Sequence, residues 1–105
     1  MTGVGQMTLE LFALIAFHFA CSDISEQRPM TAAEVQTCSV AYQKIKLHFV
    51  PDVTVKEYVM LPASEREHVN NEGFREFLKW RQDNPSTVKY LERVARSEVK
   101  LGEAV

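Results

Sequence analysis

The sequence has little of what catalytic and metal-binding motifs require. It holds four glycines, two of them among the first five residues, so no glycine-rich phosphate-binding loop is present. Its two cysteines, Cys21 and Cys38, stand too far apart for the Cys-x-x-Cys motif of zinc and thioredoxin-type sites. No serine or cysteine lies in a local context that would activate it as a nucleophile. These absences predict a protein that is not an enzyme and needs no cofactor.

The chain also lacks any block of lysine and arginine. Its formal net charge is -2, and from Ala63 onward eight basic residues stand against eight acidic ones. Nucleic-acid binding needs a basic patch that displaces counterions from phosphates. The charge pattern therefore predicts no nucleic-acid partner. The 105 residues, 46% of them hydrophobic, are enough for a single helical domain over 1–105 with one core.

The longest apolar run extends from Leu9 to Cys21 and contains only two polar residues, Glu10 and His18. It is too short to span a bilayer. In one interpretation, residues 7–21 form a very apolar helix that must be buried between other helices or at a dimer interface, because it is hydrophobic nearly all round. In the other, residues 1–20 are an export or lipoprotein leader, although no lysine or arginine precedes the run.

Three capping boxes, which begin at Thr31, Thr54 and Ser64, and apolar residues spaced three and four apart predict amphipathic helices in the rest of the chain. These helices span 31–49, 64–82 and 85–101. The polar segment 22–30 is typical of a connector. The segment 53–61 suits either a strand or a helix, and we favour a short helix because a single strand would have no partner. The sequence thus predicts an all-α fold, a small compact bundle of four to five short amphipathic helices with a very apolar first helix.

The helix over 64–82 carries the clearest interaction signal. Residues 74–81 mix aromatic and basic side chains, and Trp, Phe and Arg are typical anchors of protein interfaces. Helical spacing places one set of residues roughly on one side of this helix, with Phe74, Phe77 and Leu78 expected in the core: Val69, Phe74, Phe77, Leu78 and Arg81. We expect Trp80 and Arg81 to form an exposed contact, with Phe19 of the first helix as a further interaction residue.

The start of this helix, at Glu65 and His68, and its middle, at Gly73, each lead to a further prediction. Glu65 and His68 form a Glu-x-x-His motif, which puts a carboxylate and an imidazole on one face, as in di-iron bundles. Such a site needs a second motif, which only a symmetric dimer would supply, and the simpler interpretation is a solvated first turn.

Gly73 costs about 1 kcal/mol relative to alanine inside a helix, so a kink or break near Asn71 is predicted.

The two cysteines have three possible states. As reduced thiols they act as small hydrophobic residues, which is the expectation for an intracellular protein. Export would allow a disulfide between Cys21 and Cys38, whereas lipidation of Cys21 would leave Cys38 alone. His18, a lone histidine in an apolar helix, is expected to be a core residue rather than a ligand or base, with a pH-sensitive interface as the alternative.

Together these patterns predict a small, non-enzymatic, cytoplasmic protein that acts through protein–protein interaction or self-association, as a homodimer. The alternative is an exported or lipid-anchored envelope protein, periplasmic or membrane-anchored, with residues 1–20 as its leader. A metal-binding helical dimer built on Glu65 and His68 is the remote alternative. Removal of residues 1–20 should unfold the domain in the first case and leave it folded in the second.

Overall fold

Five helices and no strand make up residues 8–97, the part of the chain that this computed structural model describes. In chain order they are α1 (Leu9–Gln27), α2 (Ala32–His48), α3 (Val55–Met60), α4 (Ala63–Asp83) and α5 (Pro85–Ser97). These helices hold 84% of the described residues, which confirms the all-α class. The segment 53–61 contains a short helix rather than a strand. Met7 and the predicted helical residues 98–101 lie outside the described residues.

Side-chain caps begin three of the helices. The capping boxes predicted at Thr31 and Thr54 are formed: each hydroxyl accepts the backbone N–H three residues later, and the glutamate there accepts the threonine N–H. The hydroxyl of Thr8 caps α1 in the same way, without the returning glutamate. The third predicted box, at Ser64, is absent because α4 begins earlier, at Ala63, directly after a proline.

α1 continues beyond the apolar run, so the predicted connector over 22–30 is helical in its first part. Two serine hydroxyls in this polar end donate to backbone carbonyls about one turn back, which keeps them compatible with the helix. The helix ends at Gln27, and the guanidinium of the C-cap residue Arg28 pairs with the Glu34 carboxylate at 2.7 Å. This hydrogen-bonded pair lowers the pKa of Glu34 to about 2 and ties the connector to α2.

α1 packs between α2 and α5, and α4 packs chiefly against α2. The apolar first helix is therefore a central packing element, with Leu11, Ile15 and Phe19 all buried. The buried cluster consists of Leu11, Ile15, Ala16, Phe19, Ala20, Ile45, Phe77, Trp80, Val88, Leu91 and Ala95. None of the helices within residues 8–97 has both the length and the apolar character needed to cross a membrane.

α3 is held in place largely by polar side chains, because none of its residues is buried. Gln43 Nε2 donates to Asn70 Oδ1 at 2.8 Å, and Asn70 Nδ2 donates to the Tyr58 hydroxyl at 2.9 Å. The Tyr58 hydroxyl in turn donates to Gln43 Oε1 at 3.4 Å. Each group in this ring both donates and accepts, so three half-buried polar side chains satisfy one another and join α2, α3 and α4.

α4 runs without a break, so the predicted break near Asn71 is wrong. The glycine serves the packing of two helices instead. A Cβ atom built on Gly73 would lie 2.5 Å from the carbonyl oxygen and 2.9 Å from the carbonyl carbon of Lys46 in α2. Because both atoms belong to the backbone, neither moves aside unless α2 shifts, and Gly73 is what allows α2 and α4 to approach so closely.

We expect Gly73→Ala to lower the free energy of unfolding by about 1–3 kcal/mol, the usual cost of overpacking. This outcome opposes intrinsic helix propensity, which favours alanine over glycine by about 1 kcal/mol. Asn71→Ala, at an exposed position of the same helix, is the matched control and should leave stability unchanged or raise it. Urea unfolding followed by circular dichroism measures both variants. A Gly73→Ala protein as stable as the control would contradict the close approach.

Candidate functional site

One side of α4 presents two exposed apolar side chains and an arginine. Phe74 is 47% exposed, Leu78 is 39% exposed, and Arg81 is half-buried. Leu78 follows Phe74 by four residues and Arg81 follows it by seven, so the three line one side of the helix, here called the outer face of α4. The prediction that Phe74 and Leu78 are buried is wrong, because the side of α4 that faces α2 carries Gly73 and Phe77 instead.

Arg81 has no charged partner within residues 8–97, where the only ion pair joins Arg28 to Glu34. Its guanidinium carbon lies 5.0 Å from the ring centroid of Phe19 and 5.8 Å from that of Phe77. Aromatic faces attract a guanidinium group, but they do not replace the acceptors that its five N–H donors can bind. The group therefore keeps donors for a carboxylate supplied from outside the described residues.

Trp80, expected to form an exposed contact with Arg81, is only 8% exposed, and Phe19, the further interaction residue, is only 6% exposed. The Trp80 ring stacks on Phe77 with the centroids 6.2 Å apart and the planes at 15°. This placement corrects the expectation, because the large apolar area of the tryptophan is used inside the core and a partner does not reach it. The structure does bring Phe19 and Arg81 together, through the cation–π contact.

His18 belongs to the same aromatic cluster. Its ring stacks on Tyr42 with the centroids 4.5 Å apart and the planes at 8°. Burial, and secondly the positive charge of Arg81, lower the pKa of His18 to about 4. Burial also raises the pKa of Tyr42. His18 is therefore uncharged at neutral pH, and its ring packs against the aromatic rings around it.

An open groove of about 250 Å³ lies between α1 and α2, beside His18. Cys21 and Cys38 line it and are joined by a disulfide, with their Cα atoms 6.1 Å apart. The structure thus pairs the two cysteines, which is one of the three states considered from the sequence. Met30 and Val35 complete much of the lining, and no Asp, Glu, Lys or Arg side chain takes part in it. His18, Tyr42 and three serines also line the groove, so its surface combines apolar side chains with a few uncharged polar groups.

The metal candidates Glu65 and His68 are both exposed at the start of α4. Within residues 8–97 no group of three His, Cys, Asp or Glu side chains is arranged to hold a metal ion. Glu65 and His68 would supply only two protein ligands to a metal ion. A second copy of the chain would have to supply the other ligands. The solvated first turn is the simpler account of these two residues.

Sequence reasoning missed the outer face of α4, although one signal for it was present. Arg81 falls on the same side of the helix as Phe74 and Leu78, and an unpaired arginine rarely stays fully buried. A stripe that includes it is therefore a poor candidate for a core face. No protein-family model, curated protein or solved structure matches this chain.

We expect the protein to lose stability as the pH falls from 6.5 towards 4. The pKa of His18 is lower in the folded chain than in the unfolded chain, so the unfolded chain takes up the proton first and protonation favours unfolding. Solvent reaches part of the ring and screens the effect. The expected loss between about pH 7 and about pH 5 is therefore about 1 kcal/mol.

His18→Phe keeps a flat ring beside Tyr42 and should remove most of this pH dependence, as measured by urea unfolding at the two pH values. His48→Gln is the control, because burial also lowers the pKa of His48, which lies outside the aromatic stack with Tyr42. The carboxyl of Glu34 titrates at lower pH and does not interfere. An unchanged slope in His18→Phe would show that another group is responsible.

Proposed function

We propose that the protein is a non-enzymatic binding protein that contacts another protein chain through the outer face of α4. The observation that carries this proposal is the exposure of Phe74 and Leu78, one turn apart, beside the half-buried Arg81. Single exposed apolar residues are common on soluble proteins. A phenylalanine, a leucine and an arginine on one helical stripe have the composition of an interface centre, where aromatic and arginine side chains supply most of the binding energy.

The surface of α3 supports the same proposal. Val55, Val59 and Met60 are 55%, 60% and 79% exposed, and α3 packs against α4. Val55 and Val59 lie one turn apart, so this short helix also turns an apolar side outward. Exposed apolar area of this kind is stabilised when another chain covers it.

A photoreactive benzophenone amino acid in place of Phe74 tests this proposal in the protein's own host. The probe is aromatic and replaces a side chain that is already exposed, so the fold should tolerate it. We expect irradiation to produce one adduct of discrete mass, because the proposed partner lies over this position. An adduct of twice the chain mass identifies a second copy, and any other discrete mass identifies a different protein.

The matched control carries the same probe at Glu72, which is exposed two residues away and therefore on the opposite side of α4. It should give no adduct or only diffuse labelling. Equal labelling at the two positions, or none at Phe74, would contradict the proposal that the outer face of α4 is the binding surface.

The Cys21–Cys38 disulfide favours a second candidate, in which the protein works in an oxidising compartment such as the periplasm. Disulfides persist in such compartments, whereas the cytosol keeps most thiols reduced. This version of the envelope hypothesis retains the first helix. Cleavage after residue 20 would remove five of the eleven residues of the core cluster, namely Leu11, Ile15, Ala16, Phe19 and Ala20.

Alkylation of intact cells with a maleimide, followed by the intact mass of the protein from separated fractions, tests this second candidate. The expected result is the unprocessed 12.0 kDa chain in an extracytoplasmic fraction, without label. Reduction before alkylation is the control and should add two labels, one on each cysteine. Two labels without prior reduction would contradict the candidate, and a chain that begins at Cys21 would restore the cleaved leader.

A further inference from the structure

We infer that the partner on the outer face of α4 is α4 of a second copy of this chain, packed antiparallel about a two-fold axis at Phe74, so that Glu67 of each copy pairs with Arg81 of the other. The inference rests on the proposed binding function of this face and names its partner. It assigns a role to Glu67, an exposed residue that takes part in no ion pair within residues 8–97.

The positions of three residues along α4 carry the inference. Glu67 lies seven residues before Phe74, and Arg81 lies seven residues after it. Seven residues are close to two helical turns, so all three lie on one side of the helix, with the charged residues about 10 Å from Phe74 in opposite directions. A two-fold axis at Phe74 therefore brings each Glu67 opposite the Arg81 of the other copy, which makes the face self-complementary.

The same register places apolar side chains at the centre of the contact. The two Phe74 rings meet at the axis, and each Leu78 lies one turn from the axis, between Phe74 and Asn70 of the other copy. Both side chains are exposed in the single chain, so their burial stabilises the dimer. The two ion pairs then lie at the ends, which gives the apolar centre and polar rim that protein interfaces usually have.

Charge excludes the other simple arrangement of the two helices. Parallel packing with the same residues facing would bring Glu67 against Glu67 and Arg81 against Arg81, and like charges across an interface disfavour association. Antiparallel packing converts both contacts into attractions. Because a contact along about four turns of one helix is small compared with standard interfaces of about 1,600 Å², we expect a weak, reversible dimer that depends on protein concentration.

Reversal of one charge at a time tests the register, that is, which residues face each other across the two-fold axis. Sedimentation equilibrium of the full chain should show a monomer–dimer equilibrium, and Glu67→Arg should weaken it about tenfold, because two attractive contacts become repulsive. Arg81→Glu alone should weaken it likewise. An equimolar mixture of the two variants should recover dimers, since the mixed dimer again has two pairs of opposite charge. Glu72→Arg, on the opposite side of α4, is the control and should have no effect.

Arg81 also contacts Phe19 and Phe77, so its reversal could disturb the fold. Where circular dichroism shows this, Arg81→Gln takes its place: added to Glu67→Arg, it removes the repulsion and should restore part of the dimer. Phe74→Ser should abolish the dimer in any case.

A wild-type chain that stays monomeric at every concentration, together with a different partner crosslinked at Phe74, would overturn the inference and leave the proposed function standing. A dimer that Phe74→Ser abolishes but charge reversal does not change would overturn the register. No adduct at Phe74 and no dimer would overturn both the inference and the proposed function.

Discussion

The ring of Phe77 lies where α1, α2 and α4 meet, and it is only 2% exposed. Its centroid lies 5.7 to 6.3 Å from those of His18, Tyr42, Phe49 and Trp80. Burial of so many aromatic faces together fixes the rotation of α4 about its own axis. Gly73, one turn earlier, then faces the backbone of α2, while Phe74 and Leu78 are left facing outward. The exposed surface is thus a consequence of how the core is packed.

The aromatic cluster around Phe77 also determines the protonation state of His18 and the position of the Arg81 guanidinium at the edge of the core. Burial keeps His18 neutral, and the nearby guanidinium of Arg81 lowers the pKa of the ring further. A protonated His18 would add a positive charge to a cluster that already contains Arg81 and Lys46, and neither of these takes part in an ion pair within residues 8–97. The guanidinium of Arg81 lies beside the rings of Phe19 and Phe77, and these contacts define its position at the half-buried edge of the core. A defined arginine loses less conformational freedom on binding than a mobile one.

Local signals predicted the helices well, and tertiary contacts explain what they missed. The boxes at Thr31 and Thr54 depend on bonds within four residues, so their prediction was confirmed. The buried side of α1 was not predictable, because that helix is apolar nearly all round. The positions of the neighbouring helices determine which of its residues are buried. The outward rotation of Phe74 was missed for a related reason: spacing alone does not show that a glycine, rather than a large apolar residue, meets α2. The Cys21–Cys38 bond likewise requires α1 and α2 to lie side by side.

The contrast between α1 and α4 explains why a binding surface is expected on α4. A helix buries as much of its circumference as its neighbours cover. α1 packs between α2 and α5, so apolar residues on most of its sides are covered. α4 packs chiefly against α2, which contacts Gly73 and Phe77, yet the apolar residues of α4 extend further round the helix to Phe74 and Leu78. The apolar surface of α4 therefore exceeds what the described helices cover, and this excess is the physical basis for proposing that a second chain covers it.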